Sequence, residues 1–116
     1  MSSNVLDHVY QITAILIRMT PHYTDTHDRV NAFQPLFFRW KQAENAWLQG
    51  RPVNPFEFKV GLGWDLQRIG IYGHPETPTL IDALTNLVAQ NDYQVLTAVW
   101  EMLWSQDFAQ NVLNTL

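Results

Sequence analysis

The sequence predicts an all-α protein: one compact domain of about five to six helices, arranged as a helical bundle or as stacked helical hairpins. Apolar residues recur at helical spacing in the N-terminal segment and throughout the last third. Capping side chains and prolines stand together at several segment starts, and the connections in the last third are only a few residues long. With 116 residues, 47% of them hydrophobic, the chain can bury its own core as a single domain spanning 1–116.

Ser3 and Asn4 are good N-caps for a first helix, with Asp7 expected in its first turn, where a carboxylate offsets the positive end of the helix dipole. Val5, Val9, Ile12, Leu16 and Met19 then form one buried face, widened by Leu6, Ile15 and Ile17, and Pro21 ends the helix. Thr24 to Asp28 supply caps for a short helix leading to Pro35, which either opens a fresh helix or kinks a longer one. Leu36, Phe37, Trp40, Ala43, Trp47 and Leu48 share a side of the helix that follows, and Gly50 suits its C-terminal turn.

Two readings compete between residues 54 and 73. Asn54, Pro55 and Glu57 spell a helix start: a cap, a proline at the first helical position, and an acid three residues after the cap. Phe56, Phe58, Val60, Leu62 and Trp64 alternate strictly with other residues, which is the period of a half-buried strand, so a β-hairpin over 56–72 is the alternative. The helix is preferred, since the rest of the chain is helical and an isolated hairpin is marginal. Gly61 and Gly63 would then each cost about 1 kcal/mol against alanine and need a reason such as close backbone packing.

Beyond a break at Gly73 to Pro78, Thr77 is expected to cap a helix carrying Leu80, Ile81, Leu84, Leu87 and Val88. Asn91 or Asp92 caps the next, with Leu96, Val99, Trp100, Leu103 and Trp104. Ser105 to Asp107 mark a break before a terminal helix with Phe108, Val112 and Leu113. No fixed-period repeat is evident.

Composition narrows function more by exclusion than by nomination. The chain has no cysteine, which removes disulfides, thiolate nucleophiles and cysteine-based metal sites. The longest apolar run near the N-terminus, Ala14 to Ile17, is far short of a membrane span and no basic region precedes it, so a cytoplasmic location is expected. Net charge is −4 and unevenly spread: all seven bases precede residue 69, with six acids among them, whereas five acids and no base follow.

His22, Asp25, His27 and Asp28 share one loop, yet their spacing matches no metal-ligand motif, and such residues also collect in turns and caps. A small metal-binding protein or metal-dependent hydrolase using His22, Asp25 and His27 is therefore an alternative rather than the preferred reading. His8 has no nucleophile in a recognisable elbow, and Gly61, Gly63 and Gly70 do not form a phosphate-binding loop. No catalytic residue, metal ligand or cofactor is nominated.

The aromatic residues need the fuller account. Five tryptophans stand in 116 residues, with Trp40 and Trp47 seven apart and Trp100 and Trp104 four apart, so each pair follows one helical face. A domain this small has little interior, so some of these side chains are expected at the surface, where tryptophan and arginine make interface hot spots. The expectation is a non-catalytic protein–protein interaction module, acting as adaptor, inhibitor or assembly subunit. It would bind a protein partner, a second copy among the candidates, through Arg39, Trp40, Lys41, Trp47, Trp100 and Trp104 and the acidic C-terminal half. A single-stranded nucleic-acid binder using Arg39, Trp40 and Lys41 is a second alternative, disfavoured by too few bases.

Overall fold

The computed structural model describes residues 2–23 and 25–116, with side chains described from Val5 onward. Among these residues there are seven helices and no strand: α1 (Ser2–Arg18), α2 (Thr26–Ala32), α3 (Gln34–Leu48), α4 (Pro55–Ile69), α5 (Thr77–Ala89), α6 (Tyr93–Leu103) and α7 (Gln106–Asn114). The class is all-α as expected, but the count exceeds five to six. Phe33 alone separates α2 from α3, with Pro35 in the first turn of a fresh helix, and Trp104 with Ser105 separates α6 from α7. The helix preferred between residues 54 and 73 is formed, as α4, and the alternative hairpin over 56–72 is not. Asn54 accepts hydrogen bonds from the Phe56 and Glu57 amides at 2.8 and 3.4 Å, so the cap, proline and acid prevail over the alternation.

Several boundaries move by a residue or a turn. α1 already runs through Ser3 and Asn4, which puts Asp7 beyond its first turn. Val5, expected on the buried face, is 48% exposed because the first turns of α1 project past the core. Thr24, one of the caps expected for α2, lies outside the described residues; Asp25 accepts from the His27 amide in that role. Thr77 is the first residue of α5 rather than its cap, and its buried hydroxyl donates to the Ile71 carbonyl at 2.6 Å. Ser105 caps α7 by accepting from the Phe108 amide.

α1 and α6, far apart in sequence, form the most extensive helix pair; α1 also meets α5 and α7, and α6 meets α2, α3, α5 and α7. This central position explains why Ile12, Ile15, Leu16 and Ile17 are all buried, more than one face of an amphipathic helix would hide. α4 is peripheral by comparison, packing mainly on α3 and α5. Gly70 ends it in the left-handed conformation at φ 94°, so that the Ile71 amide reaches back to the Leu66 carbonyl at 3.0 Å.

Three polar anchors sit among the helices. Arg29, 1% exposed, donates to the Thr20 hydroxyl at 3.2 Å and to the Tyr23 carbonyl at 2.7 Å, placing a cation against the chain that leaves the C-terminus of α1. Arg18 forks onto Glu76 at 3.1 and 2.6 Å, tying the end of α1 to the residue before α5. Arg39 of α3 donates from two nitrogens to the buried carboxylate of Asp65 on α4. Gly61 supplies the space for that crossing, because a methyl group there would overlap the Arg39 guanidinium.

Two predictions follow the anchors. Gly61→Ala is expected to lower stability by about 1 kcal/mol despite alanine's better helix propensity, since the guanidinium must shift against its hold on Asp65. Gly63→Ala, whose new methyl would stand 3.5 Å from the Tyr72 ring, is expected to be neutral or stabilising. Chemical denaturation of both variants checks the contrast.

The Arg18 hydrogen bonds hold the Glu76 carboxyl below the usual carboxylate range, against the opposing effect of partial burial, with the charges of Arg18 and His74 adding to the lowering. A depressed folded-state value means that the pair's contribution is present in full above the unfolded pKa. It is lost as pH falls through the folded one. The difference in melting temperature between wild type and Glu76→Gln is therefore expected to be widest near neutral pH and to close below about pH 4.

Candidate functional site

The alternation along α4 is two helical stripes superposed. Each residue turns a helix by about 100°, so Phe56, Val60 and Trp64 fall within about 80° of one another, while Phe58 and Leu62 lie about 160° round from the centre of that group. Phe58 and Leu62 join the core with Leu66, at 4%, 0% and 0% exposure. Phe56, Val60 and Trp64 face outward at 71%, 47% and 63%.

The loop after α4 extends this outer stripe sideways. Tyr72, 49% exposed, stands beside Gly63, and Ile81 of α5 closes the far wall of an open groove of about 340 Å³. Lys59 and Gln67 edge the groove, with the Lys59 ammonium 3.7 Å from Asp82. At about 200 Å² per aromatic side chain, Phe56, Trp64 and Tyr72 leave roughly 350–400 Å² of surface exposed in one place. A patch of that size falls within the range of about 300–600 Å² for the largest patch on a typical monomer, which is often functional.

The residues expected to form the site do not share one surface: the fold brings Trp40 and Trp100 together, but in and against the core. Trp40 is 1% exposed, with its ring edge-on to Phe37 and Trp100 at 6.0 and 6.3 Å, so it belongs to the core and a partner on the surface cannot reach it. Trp100 is half-buried, stacked on Phe37 at 4.4 Å. Arg39 is committed to Asp65, and Lys41 donates to Glu44 at 2.8 Å while lying over the Phe37 ring. The basic and aromatic constellation that would stack on a nucleobase is thus taken apart by the fold.

Trp47 and Trp104 do reach the surface, at 37% and 47%, but on different elements, each against another ring: Trp47 against Tyr93 and Trp104 against His27. Trp64, absent from the expected set, is the most exposed tryptophan.

A larger depression of about 510 Å³ lies between the starts of α2 and α7, bounded by Asp25, Thr26, His27, Trp104, Ser105, Gln106 and Asp107. Its polar walls already have local work. Asp25 and Ser105 cap their helices, and His27 Nδ1 lies 3.2 Å from the side-chain Nδ2 of Asn31. His22 lies against the Tyr23 ring at 4.5 Å. Among the described residues no three His, Asp or Glu side chains converge to hold a metal ion, and no helix is long and apolar enough to cross a membrane.

Of the five acids after residue 68, Glu76 is paired with Arg18 and Asp82 with Lys59, so the acidic half is partly neutralised within the chain. Comparison with protein-family models, curated proteins and solved structures returns no match.

The two classes of tryptophan are separable by measurement. Trp40→Ala is expected to cost about 3–5 kcal/mol, as for a large side chain removed from a core, whereas Trp64→Ser is expected to stay within about 0.5 kcal/mol of wild type. Urea titrations of the two variants test this directly.

Proposed function

We propose that this protein is a non-catalytic protein–protein interaction module whose docking surface is the outer face of α4, extended by Tyr72 and Ile81. The observation that carries the reading is the joint exposure of Phe56, Trp64 and Tyr72, at 71%, 63% and 49%, along one groove. Aromatic side chains on a stable helix offer large contact area with few torsions to immobilise, which is why they dominate binding hot spots. Val60 and Ile81 add aliphatic surface to the same groove. Lys59, Asp82, Glu57 and Arg68 provide a charged rim that can steer approach and fix orientation.

The docking surface so proposed lies on α4, apart from the interior cluster of Trp40 and Trp100. A photoreactive phenylalanine analogue at position 56, irradiated in an extract of the native host, is expected to give a discrete protein adduct. Its yield should fall about tenfold in a Trp64→Ser background, the equivalent of about 1.4 kcal/mol. The same analogue at Leu48, itself 68% exposed at the end of α3, is the control and is expected to give no discrete adduct. Equal and diffuse labelling from both positions would overturn the proposal.

A further inference from the structure

The charges beside the α4 stripe point to its occupant, and we infer that it is the same stripe on a second copy of the chain, packed antiparallel about a two-fold axis. The inference rests on α4's outer face being a docking surface. Glu57 and Arg68 lie on one flank of the stripe, only about 20° apart round the helix but 11 residues, or roughly 16 Å, apart along it. Among the described residues neither is in an ion pair; of the bases, Arg18, Arg39, Lys41 and Lys59 are paired, and Arg29 and Arg51, like Arg68, are not.

An antiparallel two-fold carries each end of that flank onto the opposite end of its counterpart. Glu57 of each copy then faces Arg68 of the other, and both uncommitted charges are satisfied by one operation. A uniformly acidic or basic partner would match one and repel the other. The axis would cross near the midpoint of the two residues, close to Val60 and Trp64.

Two patches of roughly 350–400 Å² bury roughly 700–800 Å² between them, and the charged flanks raise this toward the low end of specific interfaces, about 1,200 Å² in total. Area does not fix affinity, but a contact this small fits a reversible dimer, and a Kd of the order of micromolar to tens of micromolar is the value tested.

Sedimentation equilibrium of the full chain from about 1 to 200 µM, a range that brackets that Kd, tests the inference. The wild type is expected to dimerise, and Trp64→Ser to be monomeric throughout. Glu57→Arg and Arg68→Glu are each expected to weaken the dimer about tenfold, and the double charge swap to recover it to within about threefold of wild type. Circular dichroism melts show whether each variant is folded, and all these side chains are exposed, so folding is expected to survive.

A wild type that stays monomeric at every concentration overturns the inference. If the position-56 adduct with another host protein then persists, the docking face stands with a different occupant. A dimer indifferent to Trp64→Ser lies elsewhere on the molecule and also overturns it, as does a double swap that fails to restore association.

Discussion

The rotation of α4 about its own axis determines what this molecule presents to its surroundings, and the Arg39–Asp65 pair is the interaction that fixes it. Apolar burial alone discriminates poorly, because Phe58, Leu62 and Leu66 on one side compete with Phe56, Val60 and Trp64 on the other. Asp65 breaks the tie. It lies on the same side as Phe58 and Leu62, and its side chain, 3% exposed, is matched by a guanidinium that α3 delivers across Gly61. Turning the helix over would leave both charges without their partner and bring the outer aromatics against α3. A buried ion pair is weak evidence for net stability, but this one acts as a register device, excluding an alternative that hydrophobicity would tolerate.

Most of the fold was legible where a local signal coincided with a periodic one. Asn54 with Pro55 and Glu57, Asp25 before α2, and Ser105 before α7 mark helix starts through side chains that bond their own backbone, a short-range effect that a sequence displays directly. The alternation in 56–64 kept a strand open as the alternative because period 2 also arises from two four-residue helical stripes on opposite sides of one helix. That ambiguity held the signal for the site: a helix apolar on two faces can bury only one against a single layer.

Which tryptophan was core and which was surface could not be read in the same way. Trp40, between Arg39 and Lys41, looked like part of a basic aromatic patch, yet its neighbours turn to Asp65 on α4 and to Glu44 on α3. Burial here is decided by which helices lie across the face, and that depends on the long-range pairing of α1 with α6 and of α3 with α4. The charge asymmetry was similarly transformed. Arg18–Glu76 and Lys59–Asp82 each join a base from the first part of the chain to an acid from the second, so a lopsided sequence becomes a more evenly paired surface.

The outer stripe is separable from the folding of the chain. Its side chains contribute little to the core, and α4 would keep its Asn54 cap, its Asp65 anchor and its Gly70 exit with glutamate, glutamine or lysine at 56, 60 and 64. Those polar residues are good helix formers and would remove an aggregation hazard that exposed phenylalanine and tryptophan carry. The fold therefore supplies no reason for aromatic side chains there, whereas an interface does. On the proposed two-fold reading, the separation also has a functional consequence. A monomer whose core is complete without its partner can associate and dissociate with concentration while remaining folded, so assembly becomes a reversible mass-action step rather than a condition for the structure's existence.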